Sequence, residues 1–191
     1  MLVHGSTSWL AVYQIAQKVT QEGLTIQMIP TSYEIEMLCK SLNIPTTTIE
    51  ESTPTWGFDG ADEVNIQKWL IKGRGGALLR EKRNMQKSPI TYILVDASKK
   101  VDCLGTNYKV PVECKINQLE EVEKGLSELG GSQIELRKAV AKDGPVITEA
   151  GNVLLDVKFE KIEQRLERKI REIPGVIESG LFIDYAVEII S

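Results

Sequence analysis

Carboxylates, lysines and glycines are concentrated in two short stretches of the chain. The first is DGADEVN, residues 59–65, which follows the aromatic run Trp56, Gly57 and Phe58. The second is KGRGGALLREK, residues 72–82. Such residues suit proton transfer beside a carbonyl group, because a carboxylate can move the proton while a lysine and backbone N–H groups hold the developing oxyanion.

Each carboxylate also has a plainer interpretation. Asp59 and Asp62 follow a predicted strand, at the end where open α/β sheets bind ligands, but a DxxDE cluster also suits a magnesium site or the start of a helix. In the helix that follows, Glu81 lies on the apolar face that includes Leu78. It is therefore either a partly buried acid with a chemical task or a surface acid paired with a lysine such as Lys82.

Two further stretches suit a phosphate group. Gly5, Ser6 and Thr7 precede a predicted helix, whose N-terminus would attract an anion, although a Ser/Thr pair there is also an ordinary N-cap. Lys99 follows the predicted strand that ends at Val95, and it is either an anion ligand or a solvated loop cation. The glycines after Lys72 form neither a Walker motif nor GxGxxG, so they indicate a turn or a close approach of backbone to a ligand.

Composition excludes several classes of protein. The 191 residues are 42% hydrophobic and 26% charged, with a net charge of −4, which gives no general attraction to nucleic acid or to an anionic membrane surface. No stretch is long and apolar enough to span a membrane, and no signal peptide is evident. Three widely spaced cysteines and a single histidine argue against disulfides, a zinc site and a Ser-His-Asp triad. We expect a cytoplasmic protein without metal or cofactor.

Strands and helices alternate in the first part of the chain, which predicts a largely parallel sheet covered by helices. A helix around residues 9–19 precedes a strand at 24–28, and Thr31 with Glu34 predicts a capping box that opens the next helix. Further strands are expected at residues 47–49, 56–58, 69–71 and 90–95.

The pattern changes after about Gly105. Residues 110–114 predict a strand, 119–129 a helix, 134–140 and 152–159 two strands, 162–170 a helix, and 183–190 a last strand. This order suits a small antiparallel α+β unit of the split βαβ kind. The predicted fold class is α/β, with a Rossmann-like domain at 1–106 and 179–191 and a smaller ferredoxin-like α+β domain at 107–178.

The sequence resembles the type A ribose-5-phosphate isomerase family over essentially the whole chain. The resemblance is carried by GST, DGADE, KGRGG with LLREK, DASKKVD, PVEC, GNVLLD and PGVIESGLF, in the order and spacing of that family. It implies interconversion of ribose 5-phosphate and ribulose 5-phosphate through an enediolate in the non-oxidative pentose phosphate pathway. It also implies a Rossmann-like domain with a ferredoxin-like domain, assembled as a homodimer or homotetramer.

The resemblance assigns roles to individual residues. Glu81 matches the proton-transferring glutamate, while Asp59, Asp62 and Lys72 match the residues that bind the sugar and steady the oxyanion. The expected substrate-binding residues are His4, Gly5, Ser6, Thr7, Gly60, Ala61, Gly73, Arg74, Gly75 and Lys99. Among these, Gly5, Ser6, Thr7 and Lys99 match the phosphate contacts, and His4 occupies a variable position beside them.

The chain departs from the family pattern in three ways. The family has a further helix and most of a strand before its GxGST motif, including a phosphate-binding lysine, and a mis-called start codon or a cloned fragment would account for that difference. Val3 stands in place of the first glycine of that motif. Arg74 replaces a glycine of the KGGGG run, where it either adds a phosphate or carboxylate contact or obstructs the sugar if the backbone there requires a positive φ.

Two other functions compete with the isomerase. A sugar-phosphate-binding homologue without turnover would not need Glu81 alongside Asp59, Asp62 and Lys72. A magnesium-dependent phosphoryl-transfer enzyme using Asp59 and Asp62 would need nucleotide-binding motifs that the sequence lacks. The isomerase is therefore the predicted function.

Overall fold

The computed structural model describes residues 7–191. Its α-helices are α1 (Thr7–Glu22), α2 (Tyr33–Ser41), α3 (Leu78–Lys87), α4 (Leu119–Glu128) and α5 (Leu166–Arg171), and Ala97–Lys99 and Ile116–Gln118 form short 3₁₀ helices. Its strands are β1 (Gly57–Gly60), β2 (Glu63–Val64), β3 (Leu70–Ile71), β4 (Thr91–Leu94), β5 (Val110–Cys114), β6 (Gly131–Leu136), β7 (Val153–Phe159), β8 (Val176–Ser179), β9 (Leu181–Phe182) and β10 (Val187–Ile190).

These elements form two compact units. The first unit comprises residues 7–60 with Arg80–Val95 and Ala186–Ser191, and the second comprises Ala61–Leu79 and Asp96–Tyr185. Compared with the predicted domains, residues 61–79, 96–106 and 179–185 group with the antiparallel sheet rather than the parallel one. The units describe only which residues pack together, so the predicted domain bounds stay a prediction.

The first unit contains the predicted parallel sheet, in the order β1-β4-β10. Gly57 and Val187 both pair with Thr91, so the three strands run in register and their carboxyl ends lie at one edge. Helices α1 and α2 supply the buried side chains of a small core, namely Val12, Ala16, Cys39 and, just after α2, Ile44. Apolar burial of this kind stabilises the unit by about 25 cal/mol for each Å² removed from water.

Three local predictions in the first unit are wrong. Residues 24–28 and 47–49 do not form strands; a single parallel bridge joins Met28 to Thr46, in which the Met28 N–H donates to Pro45 O and Met28 O accepts from the Thr47 N–H. The N-cap of α2 is Ser32 rather than Thr31. Ser32 has an extended backbone, and its hydroxyl accepts a hydrogen bond from the Ile35 N–H at 3.2 Å.

The second unit contains a four-stranded antiparallel sheet in the order β6-β7-β5-β8. With α4 after β5 and α5 after β7, the chain follows the predicted strand, helix, strand, strand, helix order of the ferredoxin-like unit, and β8, which was not predicted, completes the sheet. Alternate residues of β5, such as Val112 and Cys114, are fully buried in a core shared with Val122, Leu126 and Ile170 of the two helices.

A second, smaller sheet in this unit positions a lysine. Strand β3 pairs with β2 on one side and with β9 on the other, both antiparallel. Lys72 directly follows β3, and its N–H donates to Gly180 O at 2.9 Å. A Cβ atom at Gly180 would collide with the Lys72 carbonyl oxygen, so only glycine allows this approach.

Candidate active site

In the first unit, Asp59 lies near the carboxyl end of β1, beside the N-terminus of α1. Its Oδ1 atom accepts a hydrogen bond from the Gly60 N–H at 2.7 Å and one from the Ser8 hydroxyl at 3.1 Å. A Cβ atom built on Gly60 would lie 3.9 Å from the Thr7 Cβ atom, so Thr7 also lies at this strand end. A helix N-terminus beside a strand end favours an anion, because the backbone N–H groups and the helix dipole point towards it.

Glu81 lies on α3 among buried residues. Leu78 and Met85, on the same face, are 0% and 5% exposed, and the Oε2 atom of Glu81 is itself buried. Lys82, which would have been the partner of a surface acid, is 1% exposed. The alternative of a solvated surface pair between Glu81 and Lys82 is therefore wrong, because neither group lies fully in solvent.

Glu81 and Asp59 line one cavity of the first unit, with a volume of about 810 Å³. Most of its wall is apolar and includes Val12 and Ile26, which offer nothing to a polyol. Its polar part includes Ser8, Asp59 and Glu81. Two carboxylates and a hydroxyl facing one space can accept hydrogen bonds from sugar hydroxyls and can move a proton.

In the second unit, Lys72 is almost completely buried, with 3% of its surface exposed. Its Nζ atom lies 5.7 Å from the centre of the Phe182 ring, within the range of a cation–π contact. Burial and the pairing of its backbone with Gly180 hold this ammonium group in place. A fixed, desolvated cation is suited to stabilising an oxyanion.

Asp62 lies close to several positive groups of the same unit. Its Oδ2 atom accepts a hydrogen bond from the Arg74 N–H at 3.1 Å. Burial raises the pKa of Asp62, and the Arg74 N–H and the charges of Lys72, Lys99 and Arg74 offset part of that rise. The carboxylate thus lies where three cations of the second unit act together.

The loop after Lys72 depends on glycine at two positions, and Arg74 is not one of them. Gly73 has φ +96° and Gly76 has φ +85°, whereas Arg74 does not have a positive φ. A Cβ atom at Gly73 would also lie 2.7 Å from the Leu78 Cβ atom. The proposed obstruction by strain at Arg74 is therefore wrong, since an arginine fits the backbone at this position.

Lys99 and Arg74 both contact the ring of Tyr108. The Lys99 Nζ atom lies 5.2 Å from the ring centre, and the Arg74 guanidinium carbon lies 5.1 Å from it. Lys99 ends the 3₁₀ helix Ala97–Lys99, which is capped by the Asp96 carboxylate through the Ser98 N–H at 2.7 Å. Tyr108 thus supports two of the expected anion-binding cations.

Glu63, the last acid of the DGADE motif, forms hydrogen bonds with the protein backbone. It is fully buried, and its carboxylate accepts hydrogen bonds from Gly105 N–H at 2.6 Å, Asn107 N–H and Tyr108 N–H at 2.9 Å. These bonds fix the loop that carries Tyr108 and occupy the oxygens that a metal would need. Within residues 7–191, no group of three or more acidic, cysteine or histidine side chains could hold a metal ion.

Sequence reasoning missed four residues that support the expected site. Ser8, Tyr108, Arg137 and Asp156 contact it from other parts of the chain. Only Ser8 had a local signal, since it follows the GST stretch directly. Arg137 donates to the carbonyl groups of Gly73 and Arg74 across more than 60 residues, so no short motif could reveal it.

The expected site residues therefore fall into groups. The first unit brings together Thr7, Asp59, Gly60 and Glu81, and the second brings together Asp62, Lys72, Gly73, Arg74 and Lys99. Ala61 is half-buried, and a Cβ atom built on Gly75 would meet no atom within 4 Å. His4, Gly5 and Ser6 lie outside the described residues.

Comparison with known proteins shows the family of this chain. Residues 27–191 match the family described as ribose 5-phosphate isomerase A (phosphoriboisomerase A). The ribose-5-phosphate isomerase A of a Synechococcus strain is 44% identical over 183 residues, which cover 94% of this chain and 78% of that protein. The same enzyme of Methanocaldococcus jannaschii is 40% identical over 181 residues, covering 93% and 79%.

Solved structures give the same result. The structure of the Methanocaldococcus jannaschii enzyme matches with a TM-score of 0.91 and 38% identity, covering 97% of this chain and 84% of that one. A D-ribose-5-phosphate isomerase in complex with phospho-erythronic acid matches with a TM-score of 0.92 and 36% identity, covering 97% and 83%.

An α/β fold with these acids and lysines defines an isomerase of the sugar-phosphate class, and this chain belongs to the ribose 5-phosphate isomerase A family. The predicted resemblance, fold class and enzyme class are confirmed. Within residues 7–191, no helix is long and apolar enough to cross a membrane.

Proposed function

We propose that this chain interconverts D-ribose 5-phosphate and D-ribulose 5-phosphate through an enediolate, in the non-oxidative pentose phosphate pathway. Family membership supports the reaction, and a relative that binds phospho-erythronic acid supports a sugar phosphate as the ligand. The observation that carries the proposal is the polar part of the first unit's cavity, which Asp59, Ser8 and Glu81 line.

Glu81 is the proposed proton carrier. It removes the proton from C2 of the aldose and returns it to C1 of the enediolate, while the oxygen on C2 loses its hydroxyl proton and the oxygen on C1 gains one, which gives the ketose. Its Oε2 atom is buried, so little water competes for the proton. Asp59, held by the Gly60 N–H and the Ser8 hydroxyl, is the proposed acceptor for a sugar hydroxyl.

Lys72 is the proposed partner of the enediolate oxygen. A buried ammonium group needs no rearrangement when negative charge develops, so it stabilises the transition state more than the ground state. The positive charge of the Lys72 ammonium group acts on the Asp62 carboxylate. Asp62 is the proposed acceptor for a second sugar hydroxyl.

Thr7 and Lys99 are the proposed phosphate contacts within the described residues. Thr7 begins α1, where free N–H groups and the helix dipole favour an anion. The Lys99 ammonium group and the Arg74 guanidinium group both contact the Tyr108 ring. Arg74 therefore places a second cation near Lys99. Gly5 and Ser6, assigned by resemblance, complete the proposed phosphate set.

We infer further that the protein works in the cytoplasm as a homodimer or homotetramer, with no nucleic-acid partner. The net charge of −4 supports the last point. Cys39, Cys103 and Cys114 are all free, which suits a reducing compartment. The oligomeric state rests on the family resemblance alone and is measured directly by light scattering.

The test is an assay of ribulose 5-phosphate formation, run with and without EDTA. We expect turnover of ribose 5-phosphate that chelation does not change, because carboxylates and a lysine account for the chemistry. Unphosphorylated ribose, the control substrate, should be turned over poorly. Activity that is lost with EDTA and restored by magnesium would contradict the proposed mechanism, and binding without turnover would favour a non-catalytic homologue.

A further inference from the structure

We propose that Arg137, held by Asp156, is a positioning residue that fixes the loop of residues 73–76, here called the glycine loop, for catalysis. The inference rests on the proposed isomerase function. It concerns a residue that is not among the predicted site residues. Arg137 directly follows β6, and Asp156 lies on the neighbouring strand β7.

One guanidinium group joins the sheet to the glycine loop. Its Nη1 atom donates to Gly73 O at 3.0 Å and to Arg74 O at 2.9 Å. Its Nε atom donates to Asp156 Oδ2 at 2.8 Å, and its Nη2 atom forms an ion pair with Asp156 Oδ1. The Arg137 side chain is only 16% exposed, so the group is largely shielded from water.

Peptide geometry explains how this contact orients the site. In a trans peptide, the carbonyl and the next N–H point in opposite directions. Gly73 O points to Arg137, so the Arg74 N–H of the same peptide points away from Arg137, and there it donates to Asp62 Oδ2 at 3.1 Å. The rigid peptide plane between Gly73 and Arg74 therefore links Arg137, which binds its carbonyl oxygen, to Asp62, which binds its N–H.

The next peptide follows the same rule. Arg74 O also accepts from Arg137, so the Gly75 N–H is directed away from Arg137. A Cβ atom built on Gly75 would meet no atom within 4 Å, so the loop is uncrowded on that side of Gly75. Arg137 thereby determines the direction of two consecutive N–H groups next to Lys72.

A lysine cannot replace this arrangement. The planar guanidinium group donates along fixed directions to a carboxylate on one side and to two carbonyl groups on the other. An ammonium group keeps the charge but is a single point with rotatable donors. Arg137→Lys should therefore keep the ion pair with Asp156 and release the loop.

The experiment compares wild type with Arg137→Lys, Arg137→Ala and the control Arg168→Ala. Arg168 lies on α5, is 84% exposed and pairs with Glu172, so its loss removes an arginine pair without touching the loop. Hydrogen–deuterium exchange of a peptide spanning residues 72–77 measures the loop, and kcat and KM for ribose 5-phosphate measure its role.

We expect faster exchange of that peptide in both Arg137 variants and no change in the Arg168 control. We also expect kcat to fall roughly 10-fold to 100-fold, with KM within about threefold, because a displacement of about 1 Å at a catalytic group has this cost. Free guanidinium ion should restore part of the kcat of Arg137→Ala, and methylammonium should not. A purely structural role would not give that selective rescue.

Several results would overturn the inference. Unchanged exchange in both Arg137 variants would show that the arginine does not hold the loop. Faster exchange with unchanged kcat would show that the held loop has no catalytic role. If Arg137→Ala does not fold, Arg137→Lys and Asp156→Asn carry the same test. A wild type without isomerase activity would instead overturn the proposed function and the catalytic part of this inference, while the exchange data would still test the contact.

Discussion

The two units differ in the charge they present. The first unit presents carboxylates, Asp59 and Glu81, beside a hydroxyl and a helix N-terminus. The second unit presents Lys72, Arg74 and Lys99 around the single carboxylate of Asp62.

Contacts between distant segments position the charged groups in both units. Asp59 lies on a parallel strand, and its Oδ1 atom accepts hydrogen bonds from the adjacent Gly60 N–H and from the Ser8 hydroxyl, 51 residues away in sequence. The cations of the second unit are placed by contacts between distant segments, such as Lys72 with Gly180 and Lys99 with Tyr108. From the difference in charge we infer a division of labour, in which Glu81 of the first unit moves the proton and Lys72 of the second unit stabilises the oxyanion.

The largest expected effect tests the first unit. Glu81→Gln keeps the shape of the side chain but removes its basicity, so kcat should fall by roughly 10²-fold to 10⁴-fold. The substrate should still bind, and folding should be unharmed, because an amide is easier to bury than a carboxylate. Steady-state kinetics and the thermal midpoint measure both, with Glu22→Gln on α1 as an exposed control. If the Glu81→Gln variant kept nearly full kcat, Glu81 would not be the proton carrier.

The next effect tests the oxyanion role of the second unit. Lys72→Met keeps most of the stem but removes the charge, and kcat should fall by roughly 10²-fold to 10³-fold, the usual cost of losing one oxyanion donor. The exposed Lys115→Met is the control. If Lys72→Met raised only KM, the lysine would be a ground-state binding group, and the proposed division would need to change.

A smaller effect tests phosphate binding. Lys99→Ala should raise KM for ribose 5-phosphate by roughly 10-fold to 150-fold, since a charge-assisted hydrogen bond contributes about 1.5 to 3 kcal/mol. The neighbouring Lys100→Ala, also a lysine in the same segment, should leave KM nearly unchanged. Equal effects of the two substitutions would show that only net charge matters and would remove the specific contact.

The smallest effect concerns the pH dependence of stability. Burial raises the pKa of Asp62, so the folded state holds that proton more tightly than the unfolded state. The resulting stabilisation is complete below the unfolded pKa and is lost as pH rises through the folded one. Asp62→Asn should therefore raise the thermal midpoint by a few degrees at pH 7, and the gain should shrink towards pH 4. Asp143→Asn, in an exposed loop, is the control; a lower midpoint for Asp62→Asn at pH 7 would contradict the stated direction.

Much of the fold could be predicted from periodicity. Strand β5, helix α4 and strand β7 lie close to the predicted bounds, whereas β8 and β9 were not predicted. The strands expected at 24–28 and 47–49 do not form. An alternating pattern predicts only that one face of a segment is buried. Whether a ladder forms depends on a partner, and here only Met28 and Thr46 meet.

The site could be predicted in part for a related reason. Asp59 and Glu81 could be proposed from the sequence because a strand end and a helix face are local patterns. Arg137, Asp156 and Tyr108 were missed because their importance lies in contacts with residues far away in sequence. The buried state of Lys82 was also missed, since an isolated lysine in a helix predicts a solvated one.

The central claim is that a carboxylate carries the proton between two sugar carbons through an enediolate. The most direct test is to run the isomerisation in D₂O and to follow the C2 proton of ribose 5-phosphate and the C1 protons of ribulose 5-phosphate by NMR. We predict that wild type incorporates deuterium at these carbons and that Glu81→Gln slows this at least as strongly as it slows turnover. Full conversion to ribulose 5-phosphate with no deuterium in either sugar, even after long incubation at equilibrium, would indicate direct hydride transfer and would contradict the account.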